Sequence, residues 1–597
     1  MELSQQQPWG GRGMEQLSAL DAAFLYFETK NAPMHIGSVA IYDQSTVPGG
    51  VLAFKEILRN YESRLHLARA FRQRLAYVPG NLDHPYWFED PDFDIEFHVR
   101  HIALPHPGDW RQLCIQVARL HSRALDTNRP LWEFYVLEGL DNVEGIPKGS
   151  FAIVSKVHHA AIDGVSGAEM TAAVHDLTPD AKPQPPEEQW VPEREPLALE
   201  LLARSAGHTA VQPFRLANVL ARSVPALARA GLKMTTGELK SSGPVPRTRF
   251  NACVSPHRVF DGRSFALDDL KFIRTTVPGA TVNDVVLTVC GGALRKYLED
   301  KEELPTDSMV AMTPISVRAA AAQKSAGNQV SAMTVAIGTD IADPMERLEA
   351  VFAHTTSSKE LTNAVGAKNM TDYTQFIPSM TAGLAARLYS GLSLANRMKL
   401  PMNCVITNVP GPNVPLYMTG ARLVTQFGLG PILDGMGLIM PVFSYGGQIT
   451  ISISSCREMV PDPAYFAQCI QESFDELLAA AQTRAASPKF KKMVKAAAGK
   501  KRAALSRDAV PAHQSDATLS ARGTGDSQTT KRKAASKAKT KTKAKAKSAA
   551  KKTTAKRKTA AKKTSTRKTA AKKAAPETTA AETKSDDTKV VTLQAAE

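Results

Sequence analysis

Two adjacent histidines, His158 and His159, close the stretch SFAIVSKV, and the second precedes Asp163 and Gly164 in VHHAAIDGVSG. An imidazole exchanges a proton near neutral pH, and an Asp-Gly pair favours a tight turn. The pattern therefore reads as a proton-transfer device or as a polar corner. The apolar run before the histidines predicts a strand that carries them to its end, followed by a short turn and a helix starting near Val165. Strand ends that open into a loop combine fixed position with access, which suits catalysis. A single histidine there is usually a satisfied structural one, whereas the whole string HHAAIDG is far more specific.

The elements that must position this string have α/β texture. HIGSVAIYD and SFAIVSKV alternate like strands, and WRQLCIQVARLHSRAL has helical spacing. Farther on, TVNDVVLTVCGGALRKYL reads as an amphipathic helix, and NQVSAMTVAIG, NCVITNV and GQITISISS read as strands. The Pro- and Glu-rich run PDAKPQPPEEQWVPEREP marks a boundary between two lobes. After it, a helical stretch interrupted by Pro213 and Pro225 carries Arg204, Arg215, Arg222, Arg229 and Lys233 with no acid after Glu200. That stretch fits either a crossover between the lobes or a helix lying on an anionic lipid surface. The expected organisation is a 1–13 extension, a 14–178 lobe, a 179–245 linker and crossover, a 246–486 lobe and a 487–597 tail.

Composition narrows the function classes. The six cysteines are scattered without a CxxC, and no His/Cys cluster has metal-ligand spacing, so they read as reduced core thiols of an intracellular protein. The N-terminus lacks the basic and apolar regions of a secretory signal, and no apolar run approaches the roughly 20 residues of a spanning helix. A cytoplasmic protein, peripheral to any membrane it meets, is expected. The net charge of +16 belongs to the tail: residues 489–597 hold 31 Lys and Arg against 8 Asp and Glu, leaving the body mildly acidic.

HHxxxDG resembles the signature of the coenzyme A-dependent acyltransferase superfamily, whose fold is that of chloramphenicol acetyltransferase. Further strings choose a branch. LSALDAAFLYFETKNAPMHIG, FDIEFHVR, RLHSRALDTNRPLWEFYVLEGL, NDVVLTVCGGALRKYL, PISVR, GNQVSAM and TNVPGP occur in that order. Together they resemble the bacterial wax ester synthase/diacylglycerol acyltransferase family from about Leu17 to Leu478. The resemblance implies two chloramphenicol acetyltransferase-like α/β lobes joined by a helical crossover, with a tunnel between them. It also implies acyl transfer from acyl-CoA to diacylglycerol or a long-chain alcohol, at a membrane or lipid-droplet surface.

By that resemblance His159 is the general base, His158 supports it, Asp163 holds the loop (with Arg318 a candidate partner) and Gly164 permits the turn. Asn283 is the leading candidate for oxyanion donor, with Ser316 and Asn408 behind it. Pro130, Leu131 and Trp132 of the PLW string line substrate or simply pack. Direct transfer needs no nucleophilic side chain, in keeping with the lack of GxSxG and of a cysteine near the histidines. No metal or prosthetic group is implied; acyl-CoA is a substrate.

The tail departs from the family pattern. Residues 531–573 contain 20 Lys and Arg, no acid and no aromatic. Such a chain should be disordered when free and should bind DNA, RNA or anionic lipid without sequence preference. Two other functions compete with the enzyme: an inactive lipid-body protein acting through this tail, and a condensation-type enzyme, which would want carrier-protein domains the chain does not show.

Overall fold

The computed structural model describes residues 14–162, 170–181, 194–207, 245–316, 330–365, 388–398, 400–488 and 490–492. Asp163, Gly164 and Arg318, the N-terminal extension, most of the Pro/Glu-rich linker, the cationic stretch after residue 207 and the basic tail lie outside them.

Among the described residues, the stretch before the Pro/Glu-rich linker supplies β1 (Glu15–Gln16), β2 (His35–Asp43), β3 (Gln73–Ala76), β4 (Tyr86–Glu89), β5 (Val99–Ala103), β6 (Trp132–Leu140) and β7 (Ser150–His158). The described residues from 245 onward supply β8 (Arg258–Ala266), β9 (Val310–Ser316), β10 (Val330–Ala336), β11 (Cys404–Pro410), β12 (Tyr417–Met418), β13 (Ala421–Leu429), β14 (Leu438–Tyr445) and β15 (Gln448–Cys456). Among the described residues they form a mixed α/β architecture with two six-stranded sheets, ordered β12-β13-β2-β7-β6-β5 and β10-β9-β11-β14-β15-β8, beside a small sheet β1-β4-β3. The strands read from HIGSVAIYD and SFAIVSKV lie antiparallel, with His35 opposite His158. Gly37 is required at that seam, because a Cβ there would meet the Ser155 carbonyl oxygen at 2.1 Å.

The first sheet is completed by β12 and β13, which come from beyond residue 416. A mixed apolar cluster seals this exchange. Val39 and Ile41 of β2, Val154 of β7 and Leu113 and Val117 of the helix Trp110–His121 meet Phe260 of β8 and Phe427 of β13. The Trp110 indole N–H donates to Asp261 across the same junction at 2.9 Å.

The second sheet carries the larger core. The helix Val282–Asp300, expected to be amphipathic, is instead buried continuously from Asp284 to Leu294. Its core cluster draws residues from the sheet, from Pro344–Val365 and from Pro463–Ala486, so an apolar stripe on one face would not have sufficed. The CGG string is what lets it lie so close: a Cβ on Gly291 would meet the Ile337 carbonyl oxygen at 2.0 Å. Among the described residues, no helix is long and apolar enough to cross a membrane.

Candidate active site

Strand β7 ends at His158, and the chain turns at once. The His158 N–H donates to the Leu131 carbonyl at 2.9 Å, the His159 N–H to the Met34 carbonyl at 2.8 Å, and the Ala161 N–H to the His158 carbonyl at 2.9 Å. Three main-chain bonds in four residues hold the turn, and two of them reach segments distant in sequence.

The two rings have opposite environments. His158 is buried, its Nε2–H donates to Glu28 Oε2 at 2.6 Å, and its Nδ1 accepts the Ala160 N–H at 3.0 Å. Both nitrogens are engaged, so this imidazole is a structural piece. The His159 ring is stacked on Phe24, with centroids 3.8 Å apart and planes 9° from parallel, and its Nδ1 is buried without a partner. Burial pushes the His159 pKa down to about 4; its own backbone carbonyl opposes this and the His158 ring adds to it. His159 is therefore neutral at physiological pH, the form that can accept a proton.

Phe24 and Glu28 belong to one element. Ser18 caps the helix Ala19–Phe27 through the Asp21 N–H, and the helix ends at Glu28. Residues four apart share a helix face, so one face meets both histidines. The backbone then folds back through paired bonds between Thr29 and Ala32 before β2 begins.

Beneath the turn lies a buried polar layer. His35 Nε2–H donates to the His121 carbonyl at 2.9 Å, and His121 Nε2–H donates to the Gly430 carbonyl at 3.0 Å. The Lys156 ammonium donates to the Arg123 carbonyl at 2.8 Å and to the Glu133 carboxylate at 3.2 Å, which also accepts the Tyr135 hydroxyl at 2.6 Å. Desolvation holds His35 well below its ordinary range and His121 down to about 3; it also lowers Lys156, against the opposing pull of Glu133. Downstream of the motif, Arg64 pairs with Asp176 at 2.7 Å, and the Tyr42 hydroxyl donates to His175 at 2.8 Å.

The asparagines form a second pair. Asn408 of β11 donates its Nδ2–H to Asn283 Oδ1 at 3.3 Å. Asn283 sits in the first turn of Val282–Asp300, where Thr281 is the cap. Asp284 is completely buried; it accepts the Thr281 N–H and hydroxyl at 2.7 Å each and the Thr355 hydroxyl at 2.6 Å. The ND string thus divides its labour: Asp284 locks the helix start, and Asn283 presents an amide beside Asn408.

The remaining candidates fall as follows. Pro130, Leu131 and Trp132 are buried; Leu131 holds the histidine turn through its carbonyl, and the Trp132 indole N–H donates to the Phe71 carbonyl at 3.0 Å. Their visible work is support of the turn from below. Ser316 ends β9, opposite Val330. β11 ends at Pro410, which gives the TNVPGP string a strand-terminating role. Phe24, Glu28 and Met34, all in the string LSALDAAFLYFETKNAPMHIG, also touch the histidine turn, and nothing in that string alone singles them out.

The fold that carries this histidine turn is similar to that of a solved structure. The wax ester synthase/diacylglycerol acyltransferase from Marinobacter aquaeolei VT8 matches with a TM-score of 0.55 at 26% identity, over 78% of this chain and 100% of that one. The model of the wax ester synthase/diacylglycerol acyltransferase catalytic domain matches residues 17–286, and that of the family's C-terminal domain matches residues 326–478. Two Mycobacterium tuberculosis proteins named for diacylglycerol O-acyltransferase activity are 35% identical over 473 residues and 34% identical over 483. Each alignment covers 79% of this chain, and they cover 91% and 98% of the relatives. The chain belongs to the wax ester synthase/diacylglycerol acyltransferase family.

Proposed function

We propose that the protein transfers the acyl group of a long-chain acyl-CoA directly to the hydroxyl of a diacylglycerol or a long-chain alcohol, with His159 as general base. The observation that carries this reading is the asymmetry of the histidine pair: His158 has both nitrogens bonded, while His159 is neutral, stacked and held by its main chain. With the proton of neutral His159 on the buried Nδ1, the Nε2 lone pair is left for the acceptor alcohol.

The alcohol O–H gives its proton to Nε2 as its oxygen attacks the thioester carbonyl. The carbonyl π electrons move onto oxygen, and the amide N–H groups of Asn283 and Asn408 stabilise that oxyanion. Collapse re-forms the carbonyl, breaks the C–S bond, and returns the proton from His159 to the departing CoA thiolate. A positioned base contributes roughly 10²- to 10⁴-fold to such a step. The polypeptide would work on a membrane or lipid-droplet surface, where both the alcohol and the product reside.

The test is CoA release from palmitoyl-CoA by the full-length protein, with dioleoylglycerol or hexadecanol supplied in parallel, beside His159→Ala. Acceptor-dependent release that falls at least about 10²-fold in the variant is expected. Folded protein that releases no CoA with either acceptor would replace the enzyme with a structural lipid-body protein.

A further inference from the structure

Glu28 lies 130 residues from His158 in the chain, yet its carboxylate meets His158 Nε2 at 2.6 Å. A neutral imidazole has one N–H. The Ala160 N–H donates to Nδ1 at 3.0 Å, so Nδ1 carries the lone pair and the proton resides on Nε2, aimed at Glu28. The opposite tautomer would set two N–H donors against each other at Ala160 and leave the carboxylate facing a lone pair. Glu28 therefore selects one tautomer and one ring orientation. The ring, through Ala160, closes the turn on the residue next to His159.

We propose that Glu28 is a positioning residue for acyl transfer, acting through the buried His158 ring to hold the His159 turn in register. This rests on His159 being the base. The same segment grips the turn at three points: Phe24 on the His159 ring, Glu28 on the His158 ring, and the Met34 carbonyl on the His159 N–H. The Thr29–Ala32 bridge between them fixes their spacing. Of the three grips only Glu28 acts through a charge-assisted bond, which is short and directional. Misplacement of a reacting group by 1 Å can cost about 10²-fold in rate, so losing this grip should show in turnover more than in binding.

The experiment uses the full-length protein with palmitoyl-CoA and both acceptors, comparing Glu28→Ala, Glu28→Gln, His158→Ala and the Glu28→Ala/His158→Ala double variant. Expected is a kcat lowered about 10²-fold in Glu28→Ala with KM for donor and acceptor within about threefold. Glu28→Gln, whose carbonyl oxygen can still accept from Nε2–H, recovers most of the rate, and the double variant is no slower than His158→Ala alone. Wild-type kcat in Glu28→Ala, a rise confined to KM, or losses that multiply in the double variant would overturn the proposal. If Glu28→Ala does not fold, Glu28→Gln is set against Glu28→Asp: the amide of full length must outperform the shorter carboxylate, and the reverse order sinks the idea. Failure of the base assignment is separately visible as a wild-type enzyme indifferent to His159→Ala.

Discussion

At the scale of the residue, the site turns on how one buried ring differs from its neighbour. Burial pushes the His159 pKa down to about 4, so between pH 5 and 8 its imidazole is neutral, as the proposed base must be. The acid limb of kcat/KM should therefore lie well below the 6.5 of a solvated imidazole. Phe24→Ala removes the ring stacked on it and admits water. The charged form becomes less unfavourable, the pKa rises, and the acid limb should move toward neutral pH. Measuring kcat/KM from pH 4.5 to 8 on both proteins checks this, and an unmoved limb would mean that Phe24 is not what desolvates the base.

At the scale of the element, helix starts and strand ends do the placing. Asn408→Ala removes an amide donor at β11 and leaves the Asn283 carbonyl without this partner. A fall in kcat of roughly 10²- to 10³-fold is expected from single-turnover measurements, with little change in acyl-CoA affinity. Gly291→Ala probes the packing beneath. The added methyl would sit 2.0 Å from the Ile337 carbonyl oxygen, so the helix Val282–Asp300 must shift away from the end of β10. Overpacking of this kind costs about 1–3 kcal/mol, to be read as a lowered midpoint in urea. A stability equal to wild type would show that the helix can slide freely.

The whole molecule stores a set of uncharged histidines. Burial, first among the causes in each case, holds His98, His159 and His175 down to about 4 and His121 to about 3. Above pH 6.5 neither the folded nor the unfolded chain protonates them. As pH falls below 6.5, each binds a proton in the unfolded chain and not in the folded one. Stability therefore drops until pH reaches the folded values near 4 and 3. Each group contributes at most about 1.4 kcal/mol per pH unit within that window. The urea midpoint should fall steadily from pH 7 to pH 5, and His121→Gln should flatten that slope. A midpoint independent of pH would contradict neutral burial of these rings.

Local chemistry was legible in the residues themselves. HHAAIDG marked the turn that ends β7, the strands HIGSVAIYD and SFAIVSKV appear as β2 and β7, and the ND and TNVPGP strings each held an asparagine that the fold brings into contact. These features depend on side-chain type, period and short spacing, which a linear chain displays. Tertiary structure alone decided which segments meet. Asn283 and Asn408 are separated by 125 residues, and Glu28 and His158 by 130. β12 and β13 join a sheet begun nearly 400 residues earlier. The burial of Val282–Asp300 on nearly every side, and the bonding of one histidine beside an open one, arise the same way. Strand pairing and burial are settled by packing the whole chain against itself, and no short window of sequence contains both partners of such a contact.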